Sequence, residues 1–220
     1  MNFSFLEKYW PVYLTGLQTT LLLSVIVVII GTILGILLVI IRRSPIRPIK
    51  WLGNGYVGFI RGTPLLAQIY LVYIGIPVIL QGFDIPDMAA AALALSLNAA
   101  AYISETIRSG IEAVNIGQTE AARSLGMSAG MTLKDIILPQ AFKNILPALG
   151  NQFIGITRDT SMVSVIGVAE IMYKTTIVRG NTALGLEPVI IASLMYLAIT
   201  LILTRILGYF ERRLKQSDRR

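Results

Sequence analysis

Neither cysteine nor histidine occurs among the 220 residues. Without cysteine there is no disulfide, no thiolate nucleophile and no soft-metal site. Without histidine the commonest general base and metal ligand is missing, and no carboxylate cluster with metal-ligand spacing replaces it, so no metal site is expected. Charge is also scarce: Asp, Glu, Lys and Arg make up 14% of the chain, against 55% hydrophobic residues. That is too little charge to cover a soluble domain. The chain is also far longer than a single anchor needs, so a polytopic membrane protein is the class that remains. No G-x-x-x-x-G-K-[ST] phosphate loop is present, and no ATP is expected to be bound or hydrolysed by this chain. The net charge of +7 would suit nucleic acid, but the cations lie between and after apolar runs and are not interleaved with stacking aromatics. Membrane orientation explains them, and nucleic-acid binding is excluded.

What is present is a series of long uncharged runs. Residues 11–41 carry no charge and exceed the ~20 residues that cross the hydrocarbon core as a helix, so tilt or an entry segment must absorb the excess. This run is too long for a signal-peptide core, and no small-residue cleavage site precedes it, so it is expected to remain as the first span. Arg42, Arg43, Arg47 and Lys50, with Pro45 and Pro48, make a short basic loop. The second span is expected over 51–81, uncharged except for Arg61. The third covers 88–104 and continues helically to about Gly110. The pieces 144–157 and 160–169 together form the fourth, a mixed-charge loop follows over 170–187, and 188–204 is the fifth. Placing the basic loop, the region around Glu120 and the basic tail on one side leaves only Lys8, Lys174 and Arg179 opposite. The positive-inside rule makes that side cytoplasmic, with the N-terminus outside. The fold expected is therefore an all-α membrane protein of about five transmembrane helices. No internal repeat or low-complexity segment divides it, so residues 11–213 form one domain with a basic tail at 214–220.

The one sizeable polar stretch between these runs is EAARSLGMSAGMTLKDIILP, residues 120–139. Asn115-Ile116-Gly117-Gln118 supplies helix-start chemistry ahead of it, and Glu120 in the first turn favours the positive end of the helix dipole. Ala121 and Ala122 leave one face nearly bare, so another backbone can approach closely. Gly126 permits the left-handed turn that ends a short helix. Thr132 and Asp135 have capping-box spacing and are expected to open a second helix towards Ile136 and Leu138, with Pro139 inside or just after its first turns. The expected product is a helix, a tight turn and a helix, shaped to dock into something. Glu-Ala-Ala alone would be an ordinary helix-forming tripeptide in a solvated loop; the glycine and Ile-x-Leu-Pro at fixed offsets set it apart.

Polar residues also occur inside the spans. Asn98, Tyr102, Glu105 and Ser109 recur at steps of four, three and four, which puts them on one face of the third span, turned to other helices or water. An ionisable group at that depth is either a functional site or an interhelical hydrogen-bond partner, and both readings stand for Glu105 and Asn98. Gly62-Thr63-Pro64 after Arg61, and Thr157-Arg158-Asp159-Thr160-Ser161, read as breaks in the second and fourth spans. Transporters use such breaks because helix ends and unwound backbone replace the water lost by a charged solute. The alternative for Arg158 and Asp159 is pairing with a neighbouring helix or a partner subunit.

Glu120-Ala121-Ala122, Gly126 and Ile136-x-Leu138-Pro139 resemble the cytoplasmic coupling motif in the membrane subunits of ABC importers. Around them, FIRGTPLLAQ, AYISETIRSGIEAVNIGQTEAARSLGM, NILPALGNQF and RDTSMVSVIG resemble the histidine- and glutamine-type permeases for polar amino acids. The resemblance runs from about Thr15 to Arg213, with the motifs agreeing in order and spacing. One departure is Arg158, where the family more often has lysine, which keeps the charge and changes its geometry. The resemblance implies a type I importer fold with cytoplasmic coupling helices, in a bacterial plasma (inner) membrane. It implies that the Glu120 segment sits in a groove of a separate ATPase subunit, which binds ATP and Mg, and transmits its closure to the spans. It further implies pairing with a second permease subunit and delivery of the solute by an extracytoplasmic binding protein. A zwitterionic amino acid needs donors or a cation for its carboxylate and acceptors for its ammonium. Candidates for the pathway are Arg61, Thr63, Pro64, Asn98, Tyr102, Glu105, Arg158, Asp159, Thr160 and Ser161. Glutamine, basic amino acids and cystine all fit such a set.

Two rival classes fare worse. An intramembrane enzyme would have to work with Glu105 or Asp159 and without His, Cys or a metal. A structural membrane protein would need neither broken helices nor a docking motif.

Overall fold

Long uncharged sequences become long helices because the bilayer leaves the backbone no other partner than itself. The computed structural model describes residues 2–82 and 84–216, with the side chains of 214–216 excepted; most of the expected basic tail, 214–220, thus lies outside the described residues. The helices in chain order are α1 (Phe5–Arg42), α2 (Arg47–Gly62), α3 (Leu65–Ile79), α4 (Asp87–Glu112), α5 (Ile116–Ser124), α6 (Ala129–Met131), α7 (Leu138–Asp159), α8 (Ile171–Thr182) and α9 (Glu187–Gln216). A π-helical turn, Thr132–Ile137, joins α6 to α7, and a 3₁₀ segment, Thr160–Ile166, follows α7. No strand occurs among the described residues.

Three helices, α1, α4 and α9, are each long and apolar enough to cross a membrane, and the number rises to as many as five if each of two bent helix pairs counts as one span. At 38 residues, α1 is about 57 Å long against a hydrocarbon core of ~30 Å. Its first turns reach beyond the apolar run and pack on α8 and α9, where the buried Tyr13 hydroxyl donates to the Pro188 carbonyl at 3.1 Å. The second span breaks where expected. Thr63 and Pro64 are extended, and α2 and α3 meet at 112°, because Pro64 disfavours a helical Thr63 and donates no hydrogen bond.

At the centre lies α4, which packs on α1, α2, α3 and α7. Lipid tails are as apolar as leucine, so helices in a membrane associate through close packing of small residues rather than through the hydrophobic effect. Ala90, Ala91, Ala94, Ala99, Ala100 and Ala101 of α4 are all buried. Opposite them are Gly31 and Gly35 of α1, where an added Cβ would come within 2.8 Å of the Ala99 Cβ and the Ile103 Cγ2.

Three local expectations are corrected. The backbone does not unwind at Arg158-Asp159: α7 includes both, and the chain continues without a gap as the 3₁₀ segment, which stops at Gly167, φ +94°. The polar residues there satisfy themselves within the helix, with the Thr157 hydroxyl donating to the Phe153 carbonyl at 3.0 Å and the Thr160 hydroxyl to the Thr157 carbonyl at 2.8 Å. The region 170–187 is not a loop throughout but contains α8, capped by Glu170, whose carboxylate accepts from the Tyr173 N–H at 2.8 Å. The helix before Ile136 opens at Ser128 rather than Thr132: Ser128 Oγ accepts from the Met131 N–H at 3.2 Å. Thr132 instead donates its hydroxyl to the Ser128 carbonyl at 3.0 Å.

Candidate functional site

The polar stretch forms a compact unit of two helices. Asn115 caps α5 by accepting from the Gly117 N–H at 2.8 Å, as its side chain is suited to do. At the other end the Gly126 N–H donates to the Arg123 carbonyl at 3.0 Å and the Met127 N–H to the Ala122 carbonyl at 3.1 Å. These are the paired bonds of a Schellman motif. They require Gly126 at φ +84°, a conformation that costs a side-chain-bearing residue about 1 kcal/mol or more. Arg123 reaches forward to the Met127 carbonyl at 2.7 Å and braces the same turn. After Ser128 the helical path continues into α7, and the π turn over Thr132–Ile137 precedes Pro139. The wider turn accommodates a ring that would otherwise meet the carbonyl four residues back.

This unit presents Glu120, Ala121 and Leu125 outward, with Leu125 85% exposed. Ala122 does not share that face and is buried within the chain, as is Ile137. Ile136 is half-buried, and Leu138 and Pro139 are exposed. Between α5, the end of α4 and the π turn lies a cavity of about 760 Å³, lined by Ile111, Ile116, Thr119, Arg123, Leu133 and Ile137 among others.

The break between α2 and α3 is held by a residue that sequence reasoning did not single out. Gln68, buried in α3, donates its amide to the Ile60 carbonyl at 2.7 Å, the Thr63 carbonyl at 3.1 Å and the Thr63 hydroxyl at 3.0 Å. It thereby occupies carbonyls that the broken helix leaves open. Its own carbonyl accepts from Asn98 Nδ2 at 2.8 Å. Thr63 and Asn98 are thus brought together, with Gln68 between them. A polar amide one turn after Pro64 in an otherwise apolar run was the available signal.

Glu105 gathers three arginines. It bonds Arg42 at 2.8 Å and Arg108 at 2.6 Å, and Arg61 stands at 3.7 Å. Arg108 also pairs with Glu112, and Arg42 with Asn54 at 2.9 Å. The Arg61 guanidinium lies 5.8 Å from the Tyr102 ring centre, within cation–π range. Arg61, Tyr102 and Glu105 therefore form one group that ties α1, α2 and α4. Of the two readings of Glu105, the interhelical partner is realised in this structure.

Arg158, Asp159, Thr160 and Ser161 are not part of either group. Thr160 is fully buried and Arg158 is exposed. Among the described residues neither the Arg158 nor the Asp159 side chain makes a hydrogen bond or ion pair. A further residue missed in the sequence is Glu170, fully buried, whose second oxygen accepts from the Tyr196 hydroxyl of α9 at 2.6 Å.

Comparison with known proteins places this geometry in a family. The family model described as "Binding-protein-dependent transport system inner membrane component" matches residues 28–216. The arginine transport system permease protein ArtQ of Bacillus subtilis is 46% identical over 218 residues, covering 99% of both chains. The probable glutamine ABC transporter permease protein GlnM of the same organism is 37% identical, covering 99% of this chain and 100% of that one. A crystal structure of an amino acid ABC transporter with histidines superposes with a TM-score of 0.92 at 44% identity, over 97% of this chain and 100% of that one. The inward-facing MetNI methionine ABC transporter shares the fold, with a TM-score of 0.77 at 17% identity over 94% of this chain and 98% of the other. ArtQ and GlnM are described as permease proteins, which agrees with the expectation of a chain that does no covalent chemistry. The chain belongs to the family of inner membrane components of binding-protein-dependent transport systems, and it is similar over nearly its whole length to the permease subunits of amino-acid ABC transporters.

Proposed function

We propose that this chain forms, with a second permease subunit, the membrane passage of an ATP-driven importer for a polar amino acid in the bacterial plasma membrane. The solute is delivered by an extracytoplasmic binding protein. ATP and Mg are bound by a separate ATPase subunit, which grips the segment from Glu120 to Pro139. The single observation that carries this reading is the rigid unit around Gly126. It is capped at Asn115 and Ser128, closed by a Schellman turn and outward-facing at Glu120, Ala121 and Leu125. A solvated loop would need none of that bracing. The unit stands between α4, which carries Asn98 and Glu105, and α7, which ends at Arg158 and Asp159, so a push on it moves both helices that hold candidate pathway groups. The charge bias of the loops puts it on the cytoplasmic side, with the N-terminus outside.

Arg158 and Asp159 supply a cation and an anion, neither of them in a hydrogen bond or ion pair among the described residues, which suits the carboxylate and ammonium of an amino acid. Thr63, Pro64, Thr160 and Ser161 flank the two helix ends involved. Arginine is the first substrate to test, since the permease at 46% identity is described as an arginine permease. The test is uptake of labelled amino acids into vesicles that hold the complete complex with its binding protein. ATP-dependent accumulation of one polar amino acid is the expected result. Accumulation without ATP, or none for any amino acid, overturns the reading.

A further inference from the structure

Two openings lie along one face of α1. The first is a crevice of about 610 Å³ between α1, α7 and α9, lined by Val28, Thr32, Leu149, Phe153, Leu207 and Phe210, with Arg213 at its rim. The second is a recess of about 210 Å³ at the end of α1, lined by Val39, Arg42, Arg43, Lys50 and Arg108, with Asn54 and Glu112 beside them. Val28, Thr32, Val39 and Arg43 follow one another at offsets of four, seven and four. On a helix those offsets lie within about 60° of each other, and Arg43 stands about 16 Å along the axis from Thr32. The apolar crevice therefore leads along α1 to the cationic recess.

The recess carries more positive charge than it uses. Four cations meet two carboxylates, Glu112 and the Glu105 that Arg42 and Arg108 hold. Among the described residues the side chains of Arg43 and Lys50 make no hydrogen bond or ion pair, and both are exposed. Its volume equals that of about seven waters at ~30 Å³ each, enough for a phosphodiester and the carbons next to it.

We propose that this face of α1 is a site for an anionic phospholipid, with the phosphodiester between Arg43 and Lys50 and an acyl chain laid along α1 into the crevice. The charge decides between occupants. A second copy of this chain, itself at +7, would bring positive charge to a positive recess. Free phosphate would leave the apolar crevice unused. An anionic lipid complements both openings at once, as basic recesses between helices on the cytoplasmic side do for acidic headgroups. The inference rests on the orientation proposed above, which puts the recess at the leaflet rich in anionic lipid.

Native mass spectrometry of the complete complex, extracted from vesicles of equal parts phosphatidylglycerol and phosphatidylcholine, tests it without any transport measurement, so its failure leaves the import reading untouched. Wild type retains phosphatidylglycerol in preference to phosphatidylcholine. The R43Q/K50Q variant loses roughly 25-fold in that retention, about fivefold per cation, and T32W, which fills the crevice, loses it as well. Equal retention of the two lipids by wild type, or wild-type retention by R43Q/K50Q, overturns the site. Retention that T32W leaves unchanged overturns the placement of the acyl chain in the crevice. The chain has no cysteine, so crosslinking of two copies through T32C would assign the crevice to a second permease and overturn it too.

Discussion

Replacing Glu170 with alanine is expected to loosen the packing of α1, α8 and α9. The side chain is fully buried and makes two bonds to different helices: it accepts from the Tyr173 N–H at the start of α8 and from the Tyr196 hydroxyl of α9. Loss of the cap costs about 1 kcal/mol. Loss of the tyrosine bond costs about 0.6 kcal/mol on the average for membrane helices and up to about 1.7. The truncation also empties space beside Thr20, whose hydroxyl lies 3.4 Å from the Ile171 N–H. Together these give about 2–3 kcal/mol, a fall of about 5–10 °C in thermal midpoint for a chain of this size. The assay is thermal unfolding of the complex in nanodiscs, with Glu7→Gln, an exposed carboxylate in the first turn of α1, as control. Tyr196→Phe should lower the midpoint by less than Glu170→Ala, and the double variant by less than the two added, because the residues share one bond. A midpoint for Glu170→Ala within about 1 °C of wild type would mean that neither bond carries about 0.6 kcal/mol or more, and that Glu170 does not hold the three helices together.

Further outcomes follow from the same geometry. Glu105→Gln leaves Arg42, Arg61 and Arg108 facing one another; at its partly exposed position this costs about 1–2 kcal/mol, read as a lower unfolding midpoint that an added Arg42→Gln partly restores. Gly126→Ala is strained by its positive φ even though no atom lies within 4 Å of the added Cβ, whereas Gly130→Ala, in open helical surroundings, is neutral or better. The expected difference of about 1 kcal/mol appears as weaker co-purification of the ATPase subunit by Gly126→Ala alone. Asp159→Asn weakens uptake while leaving assembly and ATPase co-purification intact, and normal uptake by that variant removes Asp159 from the pathway.

The sequence made the class and the spans legible because length and hydropathy are set by the bilayer, which leaves few alternatives. It also made the break at Gly62-Thr63-Pro64 legible, since proline imposes it locally. The residue that holds the break, Gln68, was harder to see: a single amide in an apolar run has no periodicity, and its role depends on Asn98, 30 residues away. Arg158-Asp159 misled because adjacent charges look like an interruption, yet the threonines beside them bond back to their own helix. Glu170 was hidden in a stretch of mixed charge that reads as a loop, and its burial follows from the approach of α1 and α9. Likewise Gly31-x-x-x-Gly35 marks the contact of α1 with α4, a spacing that stands in the sequence as a small-residue interface. Ala122 was read as part of a bare docking face because its neighbours in space could not be seen; Glu120 and Ala121 do point outward.

The role proposed for the Glu120 unit is to transmit ATP hydrolysis to the spans. It is tested most directly by measuring substrate-stimulated ATP hydrolysis and uptake together, in vesicles holding the complete complex with Glu120→Lys. Both are expected to fall roughly tenfold or more, about 1.4 kcal/mol of lost docking, with weaker ATPase co-purification while the membrane subunit still folds and inserts. Uptake and hydrolysis at wild-type levels in that variant would contradict it.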